Sequence, residues 1–218
     1  MKYYLLFSLF ISLFCLLFFT ACATTDINQK LIDAAWMGDD MTVIDLLKEG
    51  AVPTDTDREE GGTALMGAAW NGRVDMVKKL IELGADINAT NLTVGNTALS
   101  LASVNGREEV VRILILSGGD VNQKNNRGAS PLNLAAENGH TGTVKLLLEN
   151  GADPNNQTST GTTPLIGAAI SGHTEIIKYL IDYEADPHFK GPLGKASGLA
   201  QSKGHTEAYK ILIEAEND

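Results

Sequence analysis

The chain has 218 residues, of which 27 are acidic and 17 are basic, so its formal net charge is −10 at neutral pH. This balance argues against a nucleic-acid-binding protein, which needs a basic face for phosphate contacts, and it favours a basic partner. The two cysteines, Cys15 and Cys22, lie near the N-terminus, so the rest of the chain can form neither a disulfide nor a thiolate zinc site.

The first 22 residues differ in composition from the rest of the chain. Lys2 provides a short positive start, residues 3–19 are apolar apart from two serines, and small residues lead to Cys22. This order predicts a secretory signal that is not part of the folded domain. The stretch Phe19-Thr20-Ala21-Cys22 resembles the lipobox of bacterial lipoproteins, although phenylalanine replaces the usual leucine.

The lipobox resemblance implies that residues 1–21 are removed as a signal peptide and that the Cys22 thiol is diacylated. Two or three acyl chains give stable membrane attachment. Because Ala23 stands where a retention signal for the inner membrane has aspartate, the outer membrane is favoured if the cell has two membranes. Residues 22–28 would form a short tether.

Three alternatives remain for the N-terminal segment. It could be an ordinary cleaved signal, or an uncleaved membrane anchor near the short limit for a span. The third alternative is a cytoplasmic protein with a misread N-terminus, which sensitivity of processing to globomycin would rule out.

A repeat runs through the remaining chain with steps of 34, 34, 33, 33 and 32 residues. Small residues mark it at Ala34, Ala68, Ala102, Ala135, Ala168 and Ala200, and a glycine follows each of them four residues later. A second glycine series, Gly50, Gly84, Gly118 and Gly151, ends at Glu184 in the fifth unit. Hydroxyl residues suited to cap a helix, followed by apolar residues at helical spacing, predict a helix-turn-helix in each unit.

The repeated stretches resemble the ankyrin repeat. Examples are Thr163-Pro164-Leu165-Ile166-Gly167-Ala168-Ala169 and the tail Gly151-Ala152-Asp153-Pro154-Asn155. The resemblance covers nearly all of residues 29–216 and implies an all-α solenoid of helix-turn-helix units with β-finger loops. We expect six units in a domain over residues 29–218, and we interpret the first and last units as polar caps of the stack.

The patterns that resemble chemical sites are weak. His140, His173 and His205 recur at one position of successive units, about 10 Å apart, whereas zinc ligands lie about 2 Å from one ion. We expect them to be turn residues with local hydrogen bonds. The Gly194-Lys195 pair lacks the neighbours of a phosphate loop, and the acidic stretch from Asp55 lacks those of a calcium loop. The sequence predicts neither an enzyme nor a metal or cofactor.

In the ankyrin family, partners usually bind the concave side, against the finger tips and an exposed ridge of the inner helices. The resemblance places this ridge on the two residues that follow the alanine pair. The predicted partner-binding residues are Trp36, Met37, Trp70, Asn71, Val104, Asn105, Glu137, Asn138, Ile170 and Ser171, with Glu59, Glu60 and Arg127 on the fingers. The two tryptophans resemble interface anchors, and packing on a neighbouring helix or finger is an equal alternative.

The sequence therefore predicts a monomeric, envelope-anchored scaffold or inhibitor with an unidentified protein partner, which the acidic charge indicates is basic. It would contact the membrane through the lipid anchor only and bind no nucleic acid. A periplasmic immunity protein and a stress-protective factor are two versions of this function. An accessory subunit of an envelope enzyme is the alternative class, which a cluster of titrating residues in a concave pocket would favour.

Overall fold

The computed structural model describes residues 27–54, 56–57 and 60–217. The expected signal peptide, the expected lipidation site Cys22 and the predicted finger residue Glu59 lie outside these ranges. None of the helices in the described ranges combines the length and the hydropathy needed to cross a bilayer.

Six helical pairs follow one another along the described chain, as the repeat predicts. The inner and outer helices of units 1 to 6 are α1 (27–37) and α2 (Asp40–Lys48), α3 (Ala64–Asn71) and α4 (Val74–Glu82), α5 (Ala98–Val104) and α6 (Glu108–Leu116), α7 (Pro131–Glu137) and α8 (Thr141–Glu149), α9 (Pro164–Ser171) and α10 (Thr174–Asp182), α11 (Ala196–Ser202) and α12 (Thr206–Asn217). Helix α1 includes residues 27 and 28 of the expected tether, and Asn28 is buried.

Units 2 to 6 stack because each of their helices packs on its counterpart in the next unit. The inner helices approach closely through small residues: a Cβ atom at Gly67 would lie 2.6 Å from the backbone nitrogen of Trp36. One continuous core runs from Leu31 to Leu212. The expected all-α solenoid is therefore confirmed.

Local signals begin and end the helices where the sequence places them. The hydroxyl groups of Thr63, Thr97, Ser130 and Thr163 each accept a hydrogen bond from the backbone three residues on, which satisfies a free N–H of the first helical turn. After the outer helices the chain turns through the left-handed region at glycines. In unit 5 this position is Glu184, with a φ of 65°.

The expected β-fingers are mostly tight turns. Among the described residues, paired strands occur only at β1 (Lys190–Gly191) and β2 (Gly194–Lys195), with an isolated bridge between Thr56 and Thr63. In other fingers a side chain closes the turn: Asn125 Oδ1, for example, accepts from the backbone N–H groups of Arg127 and Ala129. Such turns take the place of ladder pairing.

Neighbouring fingers are joined by single backbone hydrogen bonds. The N–H groups of Leu92, Asn126 and Ser159 donate to the carbonyls of Glu60, Val94 and Arg127, respectively, over 2.7–2.8 Å. The next residue in this series is Pro192, which has no N–H group. Its ring lies against Gly161 instead, so the series of finger bonds ends there.

The two terminal units differ in their surfaces. Among the described residues, none of the exposed large apolar side chains lies in α11 or α12. Unit 1 contradicts the interpretation as a polar cap, because Met37, Met41 and Ile44 are all exposed. The acidic residues Asp39 and Asp40 lie between these apolar side chains in the chain.

Candidate functional site

The two tryptophans of the predicted ridge contact each other. Their ring centroids are 6.4 Å apart and the ring planes are tilted by 45°. Trp36 is half-buried against the core, whereas Trp70 keeps 41% of its surface exposed. The pair therefore serves the packing of units 1 and 2, and Trp70 also offers an accessible aromatic face.

The other ridge residues divide by exposure. Glu137, Asn138 and Ser171 are exposed, whereas Val104 and Ile170 are half-buried. Asn71 is half-buried, and its amide donates to the carbonyls of Ala35 and Trp36 over 3.1 and 2.9 Å. Asn105 and Asn138 donate to carbonyls in their own inner helices. These amides terminate helices, which leaves them less free to bind a partner.

The turn histidines hold the ridge in place. His140 Nε2 lies 2.9 Å from the carbonyl oxygen of Val104, and His205 Nε2 lies 3.0 Å from that of Ile170. Because a carbonyl oxygen only accepts, Nε2 carries the proton in each bond. The expectation of local hydrogen bonds is wrong, since these bonds cross to the preceding unit. Arg107 Nε donates an equivalent hydrogen bond to the backbone carbonyl oxygen of Trp70.

A groove of about 490 Å³ lies between the inner helices α7 and α9 and the adjacent fingers; we call it the central groove. Three predicted site residues line it: Arg127, Glu137 and Ile170. Asn133 and Leu193 also line the central groove and were not predicted. The residues equivalent to Asn133 in units 2, 3 and 5 are Met66, Ser100 and Ile166. The amide at this position is the sequence signal that could have revealed Asn133.

The polar wall of the central groove is held by buried hydrogen bonds. Asn133 Oδ1 accepts from the backbone and hydroxyl of Ser130 and, over 2.6 Å, from the amide of Asn156. Its Nδ2 donates to the carbonyls of Asn156 and Thr162. Asn133 and Asn156 are both buried. The wall is therefore arranged before any ligand is present.

A second groove, of about 700 Å³, lies beside unit 1; we call it the N-terminal groove. Trp36, Met37 and Glu60 of the predicted site line it together with Asp33 and Asp57. No cationic side chain is among the described residues that line it. The N-terminal groove thus combines three carboxyl groups with an indole ring.

Of the predicted site residues that the structure describes, three line the central groove and three line the N-terminal groove. The others line neither groove: Trp70, Asn71, Val104, Asn105, Asn138 and Ser171. Within the described part of the chain, no three histidine, aspartate or glutamate side chains are placed to hold a metal ion. Hydrogen bonds from the Thr42 hydroxyl and N–H keep the pKa of Asp39 below its ordinary value, but Asp39 lines neither groove.

Comparison with known proteins agrees with this architecture. A family model described as "Ankyrin repeats (3 copies)" matches residues 31–125 and again residues 99–191, which together make up most of the chain. No curated protein matches the chain. The matched residues include the helical pairs of units 2 to 5 and both grooves contain residues from them. The chain belongs to the ankyrin-repeat family.

Proposed function

We propose that this protein is a protein-binding scaffold or inhibitor that is held at the bacterial envelope by lipid on Cys22 and binds its partner along the two grooves. Ankyrin repeats generally mediate protein–protein interaction. The observation that carries the proposal is the central groove, which is open to a ligand and bordered by exposed Arg127 and Glu137.

The central groove suits binding because its wall is already ordered. Ordering side chains and loops at an interface costs free energy, and a preformed surface avoids much of that cost. The Asn125 amide donates to Asn96 Oδ1 and accepts from the Ala129 N–H group, and the Asn133 amide donates to the carbonyl of Thr162. Half-buried Ile170 and exposed Leu193 add apolar surface for partner side chains.

The N-terminal groove supports a basic partner. A lysine or arginine side chain placed there would meet the carboxylates of Asp33 and Glu60 and the face of Trp36, and a cation over an indole ring is attracted electrostatically. The net charge of −10 acts in the same direction by steering a basic partner toward the protein.

The lipid anchor is supported by the sequence at Cys22, where Ala21 fits the position before a lipoprotein cleavage site. Globomycin blocks that cleavage, so accumulation of the unprocessed chain is expected in its presence. A Cys22→Ser variant should lose the acyl chains, which mass spectrometry of the N-terminal peptide measures directly. Processing that is unaffected by globomycin would contradict the anchor.

Capture of envelope proteins by the full chain tests the binding surface. The test variant exchanges two charges in the central groove, Arg127→Glu with Glu137→Lys, and the matched control exchanges the outer-helix pair Lys145→Glu with Glu149→Lys. Both exchanges preserve net charge. The captured protein is then purified and its Kd measured.

We expect the groove exchange to weaken Kd at least about tenfold, because exposed charges at a binding surface set complementarity. The control should change Kd less than about twofold. If both exchanges change Kd equally, the binding site lies outside the central groove. The half-buried Trp36 is less suited to this test, because truncating it would also disturb the packing of units 1 and 2.

A further inference from the structure

Unit 1 presents three exposed apolar side chains beside one turn. Met37 is 82% exposed, Met41 69% and Ile44 37%. Met37 ends α1, and the other two lie one turn apart at the start of α2. We call these three residues the end patch.

The apolar character of the end patch is restricted to unit 1. In the following units, the position of Met37 is occupied by Asn71, Asn105, Asn138, Ser171 and Lys203; that of Met41 by Asp75, Glu109, Gly142, Glu175 and Glu207; and that of Ile44 by Lys78, Arg112, Lys145, Lys178 and Lys210. Five units thus place polar residues or glycine where unit 1 places large apolar side chains.

Contacts in the later units show which way the end patch faces. Asn71, at the position of Met37, reaches the carbonyls of Ala35 and Trp36 in the preceding unit. A Cβ atom at Gly142, at the position of Met41, would meet the carboxylate of Glu108 in the preceding outer helix. Both positions therefore face the preceding unit. In unit 1 they face the open end of the stack.

The end of the stack at unit 1 is also where the chain runs back toward Cys22, which lies five positions before Ile27. At about 3.5 Å per extended residue, Cys22 lies within about 18 Å of the start of α1, which is close to the length of α1 itself, about 16 Å.

We propose that the end patch rests on the lipid surface that holds Cys22, so that unit 1 makes a second membrane contact beside the anchor. This inference rests on the proposed lipidation of Cys22. Because the short tether keeps the end patch at high effective concentration near the surface, partial burial of three apolar side chains is sufficient to favour the docked orientation. The sequence predicts membrane contact through the lipid anchor only, and the end patch adds a second contact to it.

The charges around the end patch define the lipid. Exposed Asp33, Asp39 and Asp45 outnumber exposed Lys30 and Lys48, and the chain as a whole is acidic. Anionic headgroups would repel such a surface. The end patch therefore fits zwitterionic headgroups, and because apolar burial drives the contact, added salt should not dissociate it.

Methionine oxidation tests the contact. Met37 and Met41 are exposed, whereas Met66 and Met76 are buried. The full chain is reconstituted into phosphatidylcholine vesicles and treated with hydrogen peroxide, and mass spectrometry measures each sulfoxide. The reference is a chain that starts at residue 23, which lacks the anchor and keeps every residue of the core. We expect Met37 and Met41 to oxidise at least about fivefold more slowly in the vesicles.

A variant separates apolar contact from mere proximity to the bilayer. Met41→Glu with Ile44→Lys installs residue types found at these positions in other units, so the fold should be kept, as circular dichroism can show. In this variant Met37 should oxidise in vesicles at the rate of the soluble reference. The matched control is Leu116→Glu, which removes an 80% exposed apolar side chain from unit 3 and should leave Met37 protected.

Two results would overturn the end-patch contact. One is oxidation of Met37 in wild-type vesicles at the soluble rate, and the other is protection that persists in the Met41→Glu, Ile44→Lys variant. The same spectra report the N-terminal peptide. An acylated Cys22 with an unprotected Met37 refutes the contact and leaves the anchor standing, whereas an unacylated Cys22 refutes the anchor and the contact together.

Discussion

The side-chain amide of Asn155 donates a 3.0 Å hydrogen bond to the carbonyl oxygen of Glu184, one unit further along the stack. The Oδ1 atom of Asn155 accepts from the N–H group of Asp186 over 2.8 Å. Asn88 and Asn122 make the same pair of bonds in earlier units. Each asparagine links consecutive units because its side chain is both a donor and an acceptor.

Replacing one of these asparagines should weaken one interface of the stack. Asn122→Ala removes two hydrogen bonds, and we expect the free energy of unfolding to fall by about 1–2 kcal/mol. His188 occupies the corresponding position after unit 5. His188→Ala should therefore change the free energy of unfolding by less than about 0.5 kcal/mol. Urea unfolding followed by circular dichroism measures both. Equal losses would show that the inter-unit bonds contribute little.

Glu184 gives the protein a lower free energy of unfolding than a glycine at the same position would. Its φ of 65° places an L-residue in the left-handed region, which costs about 1–2 kcal/mol. Glycine removes that cost but adds backbone entropy to the unfolded chain, so Glu184→Gly should raise the free energy of unfolding by about 0.5–1 kcal/mol. Thermal unfolding measures the gain. Glu184→Ala keeps the strain and serves as the control, and a comparable gain from alanine would refute the backbone explanation.

Ser103 has a buried hydroxyl oxygen without a hydrogen-bond partner. The equivalent residues of units 1, 2, 4 and 5 are the alanines Ala35, Ala69, Ala136 and Ala169. Ser103→Ala should therefore stabilise the protein by about 1 kcal/mol, since it removes an unsatisfied buried polar group. The control, Ser100→Ala, removes a buried hydroxyl that does have a partner in Thr97. Denaturant unfolding would contradict this account if both variants were stabilised alike.

Glu216 ties the end of α12 to the start of α11. Its carboxylate accepts from Ser197 Oγ over 2.5 Å and from Lys195 Nζ over 3.0 Å. Burial acts to raise the pKa of Glu216, but the hydrogen bonds from Ser197 and Lys195, with the charges of Lys195 and His188, outweigh it and lower the pKa.

A lowered pKa in the folded state means that ionised Glu216 adds stability above the ordinary glutamate pKa, and that this stability is lost as pH falls through the lowered value. Glu216→Gln should therefore cost about 1–2 kcal/mol at about pH 7 and almost nothing at about pH 2. Unfolding in denaturant across this range measures the difference. The control is Glu207→Gln in the exposed pair with Lys210. A cost for Glu216→Gln that is independent of pH would contradict the role of its charge.

The sequence predicted the parts of the fold that depend on local signals. Thr63 and Pro131 act within their own helical turns, so their roles could be read from neighbouring residues. The fingers were predicted less well, because Asn125 closes its turn with a side-chain bond that takes the place of strand pairing.

The candidate site depends on distances between units, which the sequence does not contain. The contact of Trp36 with Trp70 and the reach of His140 to Val104 join residues more than 30 positions apart. Unit 1 was misinterpreted because Asp39 and Asp40 are prominent in the sequence. Met37 and Met41 are exposed because unit 1 is the first described unit of the stack, and the sequence alone does not show this exposure.

Three separate lines of hydrogen bonds run along the stack. One starts from the turn histidines and arginines, a second from asparagines such as Asn122, and a third joins the fingers. Because these lines lie at different corners of each unit, bending or twisting the stack must stretch at least one of them. The distance between the central groove and the N-terminal groove is therefore fixed by the stack. Because the stack resists deformation, a partner that binds both grooves must match that distance.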